Sequence, residues 1–254
     1  MADDYFDTTL TAMEQLLLGT KIAVEHFNGR FHSIHGEPIA EVEIRGLWDH
    51  AVVMDSTTVA RLLMIPDSSS VAFGKFAEQE DGAPAGFSAR FCNAYTRDDE
   101  TNSVIAFMDN DGAMVSIESL YVQRIMLNVL APKYFCTVAF GLMAITAYRH
   151  GFRKISLFAA GSGKELAGDP DALAGYDVWP KFGFDAPLMR VDLQRNALHA
   201  LKDCQSVQEV LAIVPQWWAD NGTPREMHFD LTADSRSWDI LLDYLTAMLD
   251  KGEV

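Results

Sequence analysis

The chain has 254 residues, of which 49% are apolar and 22% charged, enough to bury a sizeable core. Its 20 Lys and Arg stand against 36 Asp and Glu, a formal charge of −16. That balance excludes nucleic acid as an expected partner, because binding a phosphate backbone needs a basic surface. Cys92, Cys136 and Cys204 are widely spaced and form no C-x-x-C pair, so they read as reduced thiols in a reducing compartment.

The first residues, Met1-Ala-Asp-Asp-Tyr5, lack a basic segment followed by an apolar one, and no secretion signal is expected. The longest apolar-looking stretch, Tyr134 to Tyr148, is too short to span a bilayer. The expected location is the cytoplasm with no membrane partner, and signal-less export stays open.

From Asp7 to Phe27, Leu10, Met13, Leu16, Leu17, Thr20, Val24 and Phe27 recur at helical spacing, and Asn28-Gly29 stops the pattern. Ile39–Ile44 alternates like a half-exposed strand, and His50–Met54 predicts a second. Thr57–Met64 predicts a short helix capped by Ser56 and closed before Pro66. Asp67–Gly86, with Ser-Ser-Ser, acids, Gly and Pro, reads as a loop. Gly86–Tyr95 reads as a strand. Ser103–Met108 and Ala113–Val122 form a hairpin around Asp109-Asn-Asp-Gly112, whose residues tolerate the positive φ of a tight reversal.

Phe135, Val138, Leu142 and Ile145 mark a helix ended by Gly151, and Ile155–Ala159 is an apolar strand. Leu188–Leu193 predicts another strand, and Ser206–Ala219 a helix broken near Pro215. Met227–Leu231 predicts a strand, and Ser235 or Ser237 caps a last helix reaching about Leu249. Trp217-Trp218 reads as one core and one half-exposed aromatic. A hairpin followed by a β–α–β crossover predicts an α/β fold: a mixed sheet with helices on its faces. The reading is of a single domain, with N-terminal elements in 1–100, a recognisable core in 103–193 and a C-terminal extension in 194–254.

No Walker A loop, G-x-G-x-x-G, G-x-S-x-G or H-E-x-x-H occurs. Gly161-Ser-Gly163-Lys164 reads as a flexible turn and His32-Ser-Ile-His35 as a surface loop, so no metal is expected. The charge distribution says more. From Ser119 through Lys164 there is no Asp or Glu, while Arg124, Lys133, Arg149, Arg153, Lys154 and Lys164 are present. This basic run surrounds the start of a helix, where free amides and the helix dipole favour an anion. An anion site is therefore expected near 124–136.

Hairpin, long helix, strand and an aromatic turn ending in Gly-Phe resemble the core of the GNAT-type N-acyltransferase superfamily over about residues 103–193. The corresponding parts here are Met114–Val122, Ala131–His150, Lys154–Ala160 and Asp171–Phe184. The run Gly175-Tyr-Asp-Val-Trp-Pro-Lys-Phe-Gly-Phe-Asp-Ala186 is similar to a Gly-Tyr-x-x-Trp-x-x-x-Gly-[Phe/Tyr]-Asp signature of a bacterial GNAT-like branch, found also in toxin-like proteins.

The resemblance implies a GNAT-like α/β sheet and transfer of an acyl group from acetyl-CoA or another acyl-CoA to a small-molecule or protein amine. Glu118 would be the general base and Tyr176 a candidate acid facing the same cleft. Arg124, Lys133, Tyr134, Phe135 and Cys136 would line the donor's phosphate site. The chain departs from the family at two points. The expected glycine loop is replaced by Pro132-Lys-Tyr-Phe-Cys-Thr-Val-Ala-Phe-Gly141, and Trp179 stands where a leaving-group tyrosine is usual. Three readings stay open: an acyltransferase, a GNAT-fold protein that binds a protein partner or itself without catalysis, and an exported effector.

Overall fold

The computed structural model describes residues 4–44, 51–77, 82–110, 116–163, 173–189, 192 and 199–252. The fold is α/β, with a mixed central sheet. Its strands are β1 (His32–Ser33), β4 (Ser70–Phe76), β5 (Gly86–Cys92), β6 (Asn102–Asn110), β7 (Ser116–Arg124), β8 (Lys154–Ala159) and β9 (Arg225–Asp230), neighbours in that order. β2 (Glu41–Ile44) and β3 (Val52–Asp55) pair separately as an antiparallel ribbon. β1 runs parallel to β4, whereas β4 through β7 form an antiparallel meander. The chain divides into two compact units. One holds Met1–Ile155, Leu231–Ala233 and Leu245–Val254; the other holds Ser156–Asp230 and Asp234–Tyr244.

In the first unit, the long N-terminal helix expected from periodicity is split. A π-helical turn at Phe6–Leu10 leads into α1 (Thr11–Leu18), and α2 (Lys21–His26) starts afresh. The break is local chemistry. Thr20 leaves helical geometry at ψ 148°, and its hydroxyl accepts the Ala23 amide at 3.2 Å, capping α2. α3 (Ser56–Leu62) is capped by Asp55 rather than by Ser56, its carboxylate accepting the Thr58 amide at 2.9 Å. Hydrogen bonds from Thr58 hold that carboxyl below its ordinary pKa.

β4 corrects the expected loop at 67–86. Seven residues pair in register with β5, from Ser70 opposite Cys92 to Phe76 opposite Gly86, and Phe73 stacks on Phe87 at 5.8 Å. The polar flanks masked a strand whose partner supplies its stability. In the hairpin, β6 and β7 pair from Ser103–Arg124 to Asn110–Ser116; its expected turn at Asp111 and Gly112 lies outside the described residues.

α4 (Phe135–Arg149) is buried on nearly every face and packs against α1, α2 and α3. Gly141 is a packing notch: a Cβ there would stand 2.9 Å from Leu17 and 3.2 Å from Leu245. At its C-terminal end Gly151 takes φ 83°, as the sequence predicts for a C′ residue.

The second unit contains α5 (Gly175–Lys181), α6 (Val207–Ile213), α7 (Pro215–Asn221) and the start of α8 (Arg236–Asp250). Pro215 opens α7, where its missing N–H costs nothing. Trp217 and Trp218 are both buried, so neither is the half-exposed aromatic expected. Ser235 caps α8 by accepting the Trp238 amide, while the Ser237 hydroxyl donates to the Gly183 carbonyl at 2.8 Å. In the stretch expected to form a strand at 188–193, Leu188 and Met189 are irregular and Arg190, Val191 and Leu193 lie outside the described residues.

Candidate functional site

The expected site residues from Arg124 to Cys136 occupy the end of β7, the following loop and the first turn of α4. Tyr134 precedes α4 in the left-handed region at φ 64°, with no side-chain cap. Phe135, the first helical residue, is buried in an aromatic cluster. Its ring centroid lies 5.4 Å from His26, 5.4 Å from Phe27 and 5.2 Å from Tyr95, and His26 packs edge-on to Tyr95 at 5.2 Å. Side chains from the end of α2 and the β5–β6 loop thus pack around the Phe135 ring, while Lys133 is exposed and Tyr134 half-buried.

Next to Phe135 a cavity of about 10 Å³ is lined by Met64, Pro66, Phe91, Asn102, Leu127 and Cys136. Ordinary ligand pockets run to about 300–1,000 Å³, so this one has room for about a single water. Burial pushes the Cys136 thiol up to about 12, which keeps it protonated and poorly nucleophilic. Asn102 is satisfied: its Oδ1 accepts the Met126 amide at 2.6 Å, and its Nδ2 donates to the Thr96 hydroxyl at 3.3 Å.

Cations that cluster in sequence are met by acids from elsewhere. Arg124 donates to Glu100 at 2.6 Å, Arg149 pairs with Glu14, and Lys154 pairs with Asp109. Lys133 lies 4.7 Å above the Tyr134 ring. An acid-free segment of chain is therefore not an acid-free surface, because neighbouring elements carry carboxylates to it. Glu118 is half-buried on β7, paired with Met108 across the hairpin, and its backbone carbonyl accepts the Arg153 amide at 2.9 Å.

Tyr176 is placed differently. In α5 it is 1% exposed, and its hydroxyl donates to the Ala219 carbonyl at 2.7 Å. The Trp218 indole donates to its backbone carbonyl at 2.9 Å, and the ring fills the space over Gly222, where a Cβ would come within 2.5 Å. Burial raises its hydroxyl pKa. Tyr176 ties α5 to α7. Trp179 packs edge-on to Phe182 and Phe184, Phe184 to Phe229, and Phe229 to Trp238, so the aromatic turn is the core of its unit. Gly183, at φ 93°, lets the α8 backbone approach: a Cβ there would meet the Ser237 carbonyl at 2.3 Å.

Gly161 and Gly163 serve close packing too. A Cβ on the first would strike the Leu173 carbonyl, and one on the second would lie 2.4 Å from Ala219. Lys164 lies outside the described residues. His32 sits in β1 and His35 in the turn after it, and among the described residues no three His, Cys, Asp or Glu are grouped to hold a metal. Among the described residues no helix is long and apolar enough to cross a membrane.

Sequence reasoning passed over Asn128, which organises the loop before α4. Its amide donates to Tyr95 and its side chain to the Ala94 and Thr96 carbonyls at 2.9 Å each, while its Oδ1 accepts the Leu130 amide at 2.9 Å. The loop so held exposes Val129 at 98% and Leu130 at 69%. The available signal was an Asn before two aliphatic residues and Ala-Pro, the pattern of a turn carrying apolar side chains. No family model, no curated protein and no solved structure matches this chain.

Proposed function

We propose that this chain is a non-catalytic binding protein on an α/β scaffold, the second of the readings that the GNAT resemblance leaves open, and that its partner is another protein. The observation that carries this reading is the aromatic cluster packed on the first turn of α4, with a cavity of only about 10 Å³ beside it. The rings of His26, Phe27, Tyr95 and Phe135 pack together in the segment that the GNAT resemblance assigns to an acyl donor's phosphates. Two further features support it: the Tyr176 hydroxyl is committed to a structural hydrogen bond, and the Cys136 thiol is held protonated. The free thiols of Cys92, Cys136 and Cys204 support a reducing compartment, the cytoplasm.

The test is thermal unfolding of the full chain with CoA and with acetyl-CoA, each at millimolar concentration. A donor at about a hundred times its Kd adds about 2.7 kcal/mol of stability, a shift of several degrees. The binding reading expects no shift. A shift that Lys133→Ala reduces would overturn it and restore acyl transfer, with Glu118 as the base to examine next.

A further inference from the structure

We propose that Arg90, Ser103 and Arg124 form an oxyanion site on the sheet face turned away from α4. The ligand is phosphate, free or as a monoester, and the site is independent of the protein-binding reading above. The three residues stand in one row across β5, β6 and β7: Arg90 pairs with Ser103, and Ser103 with Arg124. Neighbours in such a row project to the same face of a sheet. Phe91 and Asn102, one position along, take the other face and line the cavity beside Phe135.

Three observations set this row apart. Ser103 is 4% exposed, and its Oγ has no hydrogen-bond partner among the described residues. A buried hydroxyl left without a partner is costly, and an acceptor arriving there removes the cost. Arg90 is exposed, and among the described residues no carboxylate meets it, in a chain with 36 acids against 20 Lys and Arg. β7 also carries one extra residue at this row, since Ser103 faces Arg124 while Val104 faces Val122. The irregularity puts Arg124 where regular pairing would put Gln123, and bulges re-aim side chains in this way beside binding sites.

The donors select the ligand. Strands two apart lie about 10 Å from each other, so two long guanidinium side chains can converge on one ion above Ser103. Two forks and a hydroxyl offer donors from three directions. A tetrahedral dianion uses all three, whereas a carboxylate is filled by one fork. Arg124 already gives Nη1 to Glu100 at 2.6 Å, so Glu100 competes with the ion for part of that fork. Ile105, Phe107 and Tyr121, buried further along the same face, form an apolar cluster whose low dielectric strengthens the attraction.

The experiment is calorimetric titration of the full chain with sodium phosphate and with O-phosphoserine, at constant ionic strength. Saturable binding of one ion per chain is expected, and the tighter of the two ligands tells a free-ion site from an ester site. Arg90→Gln should raise the Kd about tenfold by removing an unshared fork. Ser103→Ala should raise it about threefold while leaving the Tm without phosphate unchanged or higher, because it deletes an unpartnered hydroxyl. Glu100→Gln should lower the Kd by freeing Arg124. Arg153→Gln should change nothing: this exposed cation bonds through its amide to Glu118, far along β7 from Arg124. Heats no greater than those of sodium chloride would overturn the site. So would equal losses in Arg90→Gln and Arg153→Gln, or a Ser103→Ala chain that binds as tightly as the parent. Binding lost in Lys133→Ala but kept in Arg90→Gln would place the ion at the start of α4, against both this site and the binding reading. Loss in Arg90→Gln with Lys133→Ala unchanged supports the site and leaves that reading as it stands.

Discussion

The loop Ile125–Tyr134 and the segment Gly175–Phe184, which is α5 and the turn after it, treat their apolar residues in opposite ways. The turn buries Tyr176, Phe182 and Phe184 and continues through Phe229 to Trp238 in a chain of edge-to-face contacts. The loop ties its half-buried polar anchor, Asn128, to backbone carbonyls and leaves Val129 and Leu130 exposed. Aromatic residues beside a glycine are thus a mark of packing here, and aliphatic residues beside an asparagine a mark of display. A motif that looks functional in sequence can be wholly structural, and an unremarkable turn can carry the exposed surface.

Three substitutions or conditions would break or sharpen this contrast. The largest effect is expected in the turn. Phe184→Ala removes a fully buried ring shared by Trp179 and Phe229, and should cost about 3–5 kcal/mol in urea unfolding. A loss below about 1 kcal/mol would mean that the turn is not the core of its unit.

Next comes the loop. Asn128→Ala removes the donor from the Ala94 and Thr96 carbonyls and should cost about 0.5–1.5 kcal/mol, with faster hydrogen exchange at the Leu130 amide. Unchanged exchange at Leu130 would show that the tip is held by something other than Asn128.

The smallest effect is expected at Cys136, a half-buried residue that borders the loop through the cavity it shares with Leu127. Its folded pKa of about 12 lies above the ordinary 9.0, so the folded state prefers the protonated thiol. That preference contributes fully below pH 9.0 and is lost as pH rises toward about 12. Stability should fall by under about 1 kcal/mol near pH 9.5, and Cys136→Ser should flatten that slope. Alkylation at neutral pH should reach exposed Cys92 and spare Cys136; rapid labelling of Cys136 would show that the start of α4 is open.

Much of the fold was legible from local signals. Gly151 after α4, Pro215 opening α7 and the alternation of Glu41–Ile44 each state a backbone requirement that neighbouring residues satisfy. β4 was not legible, since its polar flanks look like a loop until β5 supplies seven paired residues. The break at Thr20 and the cap at Asp55 were missed because a competing side-chain hydrogen bond outweighed the hydrophobic period.

The candidate site was less legible still. The sequence singled out 124–136 for its basic surroundings, but Arg124 there is met by Glu100, and the neighbouring Arg149 and Lys154 by Glu14 and Asp109. Nor does any local pattern announce that His26 and Tyr95 cover Phe135, since they are separated from it by 109 and 40 positions.

By itself, then, the sequence determined the α/β class, the order of most elements and the glycine that ends α4, because these follow from interactions within a few residues. Only the tertiary structure decided that His26 and Tyr95 pack on Phe135, that Tyr176 is a tie between helices, and that Val129 and Leu130 are exposed. Those outcomes depend on which distant side chains arrive at each place, and no local period or spacing encodes that.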